Sequence, residues 1–144
     1  MEKILISACL VGDKVKYNGQ SNYTPKIKEL LEKYELVPFC PEVEGGLPTP
    51  RSCNERVKDK VLTEDGRDVT KAFEKGADLA YNICMYLGIK KAILKSLSPS
   101  CGSNEIYDGS FSHKKIKGDG VTAELLKKKG IEVYTENDID ELLK

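Results

Sequence analysis

The sequence has no surplus of positive charge, no long apolar run and only one histidine. Its 23 Lys and Arg residues balance 23 Asp and Glu residues. Proteins that bind long stretches of phosphate backbone normally carry a basic surplus, so the composition does not favour tight nucleic-acid binding by this chain. No apolar run approaches the roughly 20 residues of a membrane-spanning helix, and residues 1–7 lack the features of an export signal. We therefore expect a cytoplasmic protein that does not bind membranes.

Several common sites are also missing. The five cysteines do not indicate a disulfide framework, because such frameworks are rare in a reducing compartment and need an even number of thiols. No two cysteines form a CxxC pair, and no glycine-rich fingerprint such as GxGxxG follows the first predicted strand. Metal binding, catalysis and core packing remain as roles for the thiols.

What the sequence does contain is an alternation of short apolar runs and helical patterns. Helices are predicted to begin at Thr24-Pro25 and at Asp68, and a further helix follows Gly120. Strands alternating with helices give a parallel sheet, because each connection crosses a face of the sheet. We expect one domain over residues 1–144, an α/β Rossmann-like or flavodoxin-like three-layer sandwich with about four parallel strands. The four predicted strands are residues 3–7, 35–39, 91–94 and 131–134.

Two long connections separate these elements. Residues 43–67 are rich in glycine, proline and charge, which predicts a surface excursion with a short hairpin turn around residues 63–66. A second loop follows Cys101 and ends at Gly118-Asp119-Gly120. Long loops in compact domains are often functional, so we expect both connections to lie near the site.

Three cysteines come after the first three predicted strands. In a doubly wound sheet, ligands bind beyond the carboxyl ends of the strands, so the three thiols are expected to meet at one edge. Three thiolates suit an iron–sulfur cluster or a zinc ion, and either group keeps one coordination position open. Three unrelated buried thiols remain an alternative, as does a metal-free nucleotide-binding module. The three residues are Cys9, Cys40 and Cys101.

Other residues allow an ordinary interpretation beside a functional one. Cys84 lies on the apolar stripe of the longest predicted helix and is expected to pack in the core. Cys53 is interpreted as a surface thiol and not as a fourth ligand. Arg51 either forms a surface pair with Glu55 or anchors a substrate. Tyr107 is placed where it could stack on a flat base.

Several blocks of the sequence resemble a known family. Together they resemble the bacterial domain-of-unknown-function family 523, the thiouracil desulfurases or desulfidases, over nearly the whole chain. The chain departs from the family pattern at Lys16-Tyr17-Asn18-Gly19, where members usually read Arg-Tyr-Asp-Gly, and at Ser52-Cys53-Asn54, which replaces a proline-rich stretch. The matching blocks are Cys9-Leu10-Val11-Gly12, residues 40–47, Pro50-Arg51, Asp68-Val69-Thr70, Leu94-Lys95, Ser98-Pro99-Ser100-Cys101-Gly102, Ile106-Tyr107-Asp108-Gly109 and Gly120-Val121-Thr122-Ala123.

The resemblance implies a [4Fe–4S] cluster with three cysteine ligands. Its fourth iron would bind the sulfur of a thiolated pyrimidine of the 2-thiouracil or 4-thiouracil type, and oxygen from water would replace that sulfur without net redox chemistry. Glu42 matches the family's assisting carboxylate, and Ser98 or Ser100 matches its serine. A free base or nucleoside fits the neutral composition as the substrate. The implied ligands are Cys9, Cys40 and Cys101.

Overall fold

The fold combines short strands with five α-helices and two 3-10 helices over residues 1–144, all of which the computed structural model describes. The strands are β1 (Glu2–Ser7), β2 (Tyr34–Phe39), β3 (Asn54–Val57), β4 (Lys60–Thr63), β5 (Lys91–Ile93), β6 (Glu105–Tyr107), β7 (Lys115–Lys117) and β8 (Glu132–Tyr134). The α-helices are α1 (Ile27–Leu31), α2 (Pro41–Glu44), α3 (Thr70–Leu87), α4 (Val121–Lys128) and α5 (Ile139–Leu142). The 3-10 helices are Ala8–Val11 and Glu136–Asp138.

Four strands form one parallel sheet in the order β2-β1-β5-β8. The apolar run Ile4, Leu5 and Ile6 of β1 is at most 1% exposed, because β1 has a neighbour on each side and covered faces above and below. The order reverses between β1 and β5. In doubly wound sheets the crevice at this reversal, beyond the carboxyl ends of the strands, is the usual ligand site.

Helices cover both faces of the sheet. Helices α3 and α4 pack on one face and α1 and α5 on the other, which gives the predicted α/β three-layer sandwich. Helix α3 ends at Gly88, whose φ of +69° closes the helix in a left-handed conformation. No helix has the length and apolarity needed to cross a membrane. The core on the α3–α4 face comprises Leu5, Phe39, Ala80, Cys84, Ile89, Ala92, Leu94, Cys101, Ala123, Leu126 and Ile131. The core on the other face comprises Ile4, Ile6, Leu10, Ile27, Leu30, Tyr34, Ile93, Ile139 and Leu142.

The element boundaries differ from the predictions at two helix starts. Helix α1 begins at Ile27, and the Thr24-Pro25 pair lies before it, with the Ile27 amide donating to the Thr24 carbonyl at 3.0 Å. Helix α3 begins at Thr70, whose amide donates to Asp68 Oδ1 at 2.9 Å. Asp68 therefore caps a backbone amide at the start of α3, as its residue type predicts.

The two long connections contain antiparallel hairpins. The hairpin turn expected around residues 63–66 is present: the Gly66 amide donates to the Thr63 carbonyl at 2.9 Å, and Leu62 bridges Asp68 in antiparallel register. A further hairpin, which was not predicted, pairs β3 with β4 across a turn at Lys58 and Asp59. Lys58 takes a φ of +57° there, and no glycine marks the turn. The second loop contains an antiparallel hairpin of β6 and β7. Both hairpins contribute residues to the wall of a cavity at the carboxyl edge of the sheet.

Candidate functional site

A cavity of about 260 Å³ opens beyond the carboxyl ends of β1, β2 and β5. All six residues that the sequence analysis assigned to a site lie in its wall, although they come from segments far apart in the chain. Their placement follows from the sheet topology, while their chemical roles stay predictions. The six are Cys9, Cys40, Glu42, Ser98, Ser100 and Cys101.

Each of the three thiols is positioned by a different element. Cys9 lies in the 3-10 helix that follows β1, and Asn22 Nδ2 donates to its Sγ at 3.4 Å. Cys40 comes directly after β2 and is the N-cap residue of α2. Cys101 lies in the loop after β5, is 4% exposed, and receives a hydrogen bond from Ser7 Oγ at 3.3 Å.

The loop that carries Cys101 is attached to the N-terminus of α4. The amides of a helix's first turn have no partner within the helix, and here the Val121 amide donates to the Pro99 carbonyl at 2.9 Å. The loop and the helix start approach so closely that a Cβ on Gly120 would lie 2.4 Å from the Ser100 carbonyl carbon. Glycine at this position therefore permits the contact that fixes the loop.

Burial raises the pKa of all three thiols. It raises the pKa of Cys101 to about 12, against hydrogen bonds from Ser7 and Ser100, and the nearby Cys40 and Cys9 raise this pKa further. Burial is also the main cause of the raised pKa of Cys9 and of Cys40. Because Cys9 and Cys40 both affect the pKa of Cys101, the three thiols lie near one another. A cationic metal centre would reverse these shifts, because a coordinated thiol loses its proton.

Glu42 carries a largely buried carboxylate with a partner on each oxygen. Arg51 Nε donates to Oε1 at 3.0 Å, and Ser100 Oγ donates to Oε2 at 2.9 Å. The side chains of Arg51 and Glu42 are 6% and 12% exposed, so this ion pair is shielded from solvent. The guanidinium also donates to the Val15 carbonyl at 2.9 Å. These contacts hold the carboxylate in one orientation at the cavity wall.

Of the two interpretations of Arg51, the surface pair with Glu55 is wrong. Arg51 pairs with Glu42, while Glu55 is 5% exposed and accepts the amides of Gly109 and Phe111 at 3.0 and 3.1 Å. Glu55 therefore joins β3 to the turn between β6 and β7. The Glu55 carboxylate accepts hydrogen bonds from these two backbone amides and forms no ion pair with Arg51.

The two serines have different positions relative to Glu42. Ser98 Oγ accepts the amides of Ser100 and Cys101 at 3.1 and 3.0 Å, so it shapes the loop. It also lies 3.0 Å from Ser100 Oγ. Ser100 is 1% exposed and is the serine that contacts the carboxylate. Ser98, Ser100 and Glu42 are therefore linked by consecutive side-chain hydrogen bonds.

Comparison with known proteins agrees with this site and fold. The 2-thiouracil desulfurase family matches the chain over residues 4–138. The chain belongs to the 2-thiouracil desulfurase family. It is 40% identical to the uncharacterized protein YbbK of Bacillus subtilis (strain 168) over 150 residues, which cover 97% of this chain and 99% of YbbK.

A solved structure described as the [4Fe-4S]-dependent thiouracil desulfidase TudS has the same fold. It is 46% identical to this chain, superposes with a TM-score of 0.93, and the match covers 99% of this chain and 95% of that one. The family prediction and the fold prediction are both confirmed. For this member of the desulfurase family, the cavity described above is the candidate active site.

The donor set around the cavity is chemically soft. Four thiols line it, those of Cys9, Cys40, Cys53 and Cys101, and such ligands suit an iron–sulfur cluster or zinc and not magnesium or calcium. No three His, Cys, Asp or Glu side chains are placed to hold a single metal ion. The thiols thus surround a space instead of meeting at one point.

Several residues of the cavity wall were not predicted from the sequence. Cys53 was interpreted as a surface thiol, but it is half-buried and lines the cavity. Ser7 ends β1, so the rule that sites form at the carboxyl ends of parallel strands was the signal that could have found it. Asn22 and Asn54 lie in segments where the sequence shows no helical or strand periodicity, so no sequence pattern predicted that they reach the site. Tyr107, which was considered as a stacking residue, also lines the cavity.

Proposed function

We propose that this desulfurase-family protein converts the thiocarbonyl of a thiolated pyrimidine into a carbonyl, releasing sulfide without net redox change. The reaction replaces the C=S bond by a C=O bond with oxygen from water, and the two protons of the water leave with the sulfur. The observation that carries the proposal is that Cys9, Cys40 and Cys101 line one cavity together with the largely buried, arginine-paired carboxylate of Glu42. Membership of the family and likeness to the thiouracil desulfidase TudS support the same substrate class.

We assign the cofactor as a [4Fe–4S] cluster. Several thiols around a cavity fit a group of several metal atoms better than a single ion, and the three cysteines that match the family's ligands leave one iron open. Bound there, the cluster supplies a Lewis-acidic, sulfur-binding iron that polarises a C–S bond. The residues assigned as ligands are Cys9, Cys40 and Cys101.

Glu42 is assigned as the general base. Its Oε2 is the position where a proton is taken from water, because Oε1 is held by Arg51 and Oε2 faces Ser100 Oγ. The proton returns from the same oxygen to the departing sulfur, so the carboxylate ends the cycle as it began. Arg51 compensates the buried charge and fixes the rotamer throughout.

Ser100 is assigned as the assisting serine. Its hydroxyl touches Glu42 and can pass a proton or donate a hydrogen bond toward the reacting carbon's substituents. Ser98 is assigned as a positioning residue, since its Oγ accepts two loop amides and lies against Ser100 Oγ. The structure-based choice between the two serines therefore favours Ser100.

The test is a product analysis on anaerobically reconstituted protein with 2-thiouracil in water enriched in a heavy oxygen isotope. We expect one sulfide and one labelled uracil for each thiouracil consumed, and no product from the same protein without iron. Protein with about four irons per chain that releases no sulfide would contradict the proposal. Equal turnover by a zinc-loaded sample would contradict the cofactor assignment while preserving the reaction.

A further inference from the structure

Asn54, at the start of β3, has a buried amide oxygen without a partner. The residue is 8% exposed and lines the cavity, and no hydrogen bond reaches its Oδ1. One other buried side-chain oxygen in the chain lacks a partner, Thr122 Oγ1, and Thr122 does not line the cavity. Since buried polar groups in folded proteins are almost always hydrogen-bonded, an orphan at a cavity wall points to a partner from outside the chain.

Nothing within the chain accounts for asparagine at this position. Asn54 pairs with Thr63 in the antiparallel ladder of β3 and β4, where asparagine is a disfavoured residue type. An unpaired amide shielded from water destabilises the fold further. By contrast, both oxygens of Glu42 in the same wall have partners. An apolar side chain of similar size would serve the strand better than asparagine does.

We propose that Asn54 binds the ring edge of the substrate at which an N–H lies beside a carbonyl, and so selects pyrimidines with a free N3–H. A carboxamide offers an acceptor and a donor side by side, which matches that edge in a two-bond pairing. Oδ1 is shielded in this structure, and no hydrogen bond to the side-chain amide fixes its orientation, so binding requires a rotation about χ2 that turns Oδ1 toward the N–H and Nδ2 toward the carbonyl. The assignment rests on the proposed function and names the part of the substrate that the site recognises.

The chemistry of thiouracils makes this assignment specific. In 2-thiouracil, N3–H lies between the thiocarbonyl and the only carbonyl, whereas N1–H has no carbonyl neighbour. A methyl group on N3 therefore removes the N–H from which Oδ1 accepts a hydrogen bond, whereas a methyl group on N1 leaves that N–H in place. A site built to hydrogen-bond an N–H rejects an analogue that lacks it, because the site's polar group is then left unpaired.

The experiment compares reconstituted wild type with Asn54→Leu, using 2-thiouracil, 1-methyl-2-thiouracil and 3-methyl-2-thiouracil. The wild type is expected to prefer 2-thiouracil over the 3-methyl analogue by about 10- to 100-fold in kcat/KM and to accept the 1-methyl analogue. Asn54→Leu should raise KM for 2-thiouracil by about the same factor with kcat little changed, and should lose the discrimination. Uracil binding, measured by calorimetry, should weaken in parallel. The melting temperature should stay equal or rise, because the orphan amide is gone.

Thr122→Val is the matched control, since it removes the other unpaired oxygen away from the cavity. It should leave KM and discrimination at wild-type values. If Asn54→Leu does not fold, Asn54→Ala carries the same comparison, because alanine fits any space that asparagine fills. Wild-type KM and undiminished discrimination in the folded Asn54 variant would overturn this assignment alone. Iron-loaded wild type that releases no sulfide from 2-thiouracil would overturn the proposed function and this assignment together.

Discussion

Glu42 shows how much a single residue's role depends on contacts that the sequence does not reveal. Its place two residues after Cys40 was equally compatible with a simple loop carboxylate. The structure brings Ser100 to it from 58 positions away and Arg51 from nine. A carboxylate that is 12% exposed and hydrogen-bonded on both oxygens differs from an ordinary surface residue, and these contacts make Glu42 a candidate functional group.

Replacing this carboxylate by an amide tests its role as base. Glu42→Gln keeps the shape but removes the proton acceptor, so sulfide release should fall by about 10²- to 10⁴-fold. Iron content after reconstitution should stay at the wild-type level, because Glu42 is not an assigned ligand. The control is Glu44→Gln, in the same helix but outside the cavity wall, which should retain activity. Turnover by Glu42→Gln at the wild-type rate would remove Glu42 from the mechanism.

The Arg51–Glu42 pair makes a separate prediction about stability. Arg51→Met leaves a buried carboxylate without its countercharge, which should lower the free energy of unfolding by about 3–5 kcal/mol. The control is Arg67→Met: its pair with Asp65 is 65% and 63% exposed, so the loss there should be at most about 1 kcal/mol. Urea denaturation midpoints at constant slope measure both losses. Equal losses in the two variants would show that the shielded pair contributes no more to stability than an exposed pair does.

At the scale of elements, the short helix α2 owes its position to glycine contacts with α3. A Cβ on Gly76 would lie 1.9 Å from the Pro41 carbonyl oxygen, and a Cβ on Gly45 would lie 2.1 Å from the backbone of α3. The two backbones therefore touch without side chains between them. Because α2 begins after Cys40 and contains Glu42, this contact sets the position of two site residues.

Gly76→Ala tests that contact. In an exposed helix interior the change would stabilise a protein by about 1 kcal/mol, but here the added methyl overlaps Pro41. We expect a loss of about 1–3 kcal/mol in the free energy of unfolding, together with reduced sulfide release. Gly118→Ala is the control, since its Cβ would meet only the flexible end of Ile106, at 3.3 Å. A stabilised and fully active Gly76→Ala protein would contradict the account.

The elements themselves were predictable to different degrees. The continuous apolar run Ile4-Leu5-Ile6 marks a strand that is covered on both faces. All four strands of the parallel sheet were predicted, although the two edge strands are less continuously apolar. The two hairpins were missed for a physical reason. Strand β7 is exposed at all three residues and so has no apolar alternation, and the turn before β4 uses Lys58 at positive φ instead of glycine.

At the scale of the whole molecule, the sheet topology determines which distant residues meet. Parallel strands with helical crossovers put every carboxyl end at one edge, so the gathering of Cys9, Cys40 and Cys101 was predictable without knowledge of any contact. Asn22 and Asn54 reach the same cavity through irregular loops and a hairpin. Their positions depend on the particular course of those segments, which no periodicity in the sequence determines.

The most direct test of the central claim is the iron and acid-labile sulfide content of cysteine variants after anaerobic reconstitution. Wild type should hold about four irons per chain, and Cys9→Ala, Cys40→Ala and Cys101→Ala should each lose the cluster and its visible absorption. Cys84→Ala is the control, because Cys84 lies on the core-facing side of α3, is 1% exposed and is outside the cavity wall; it should keep wild-type iron content. Wild-type iron and absorption in a folded Cys101→Ala protein would contradict the proposed three-cysteine cluster.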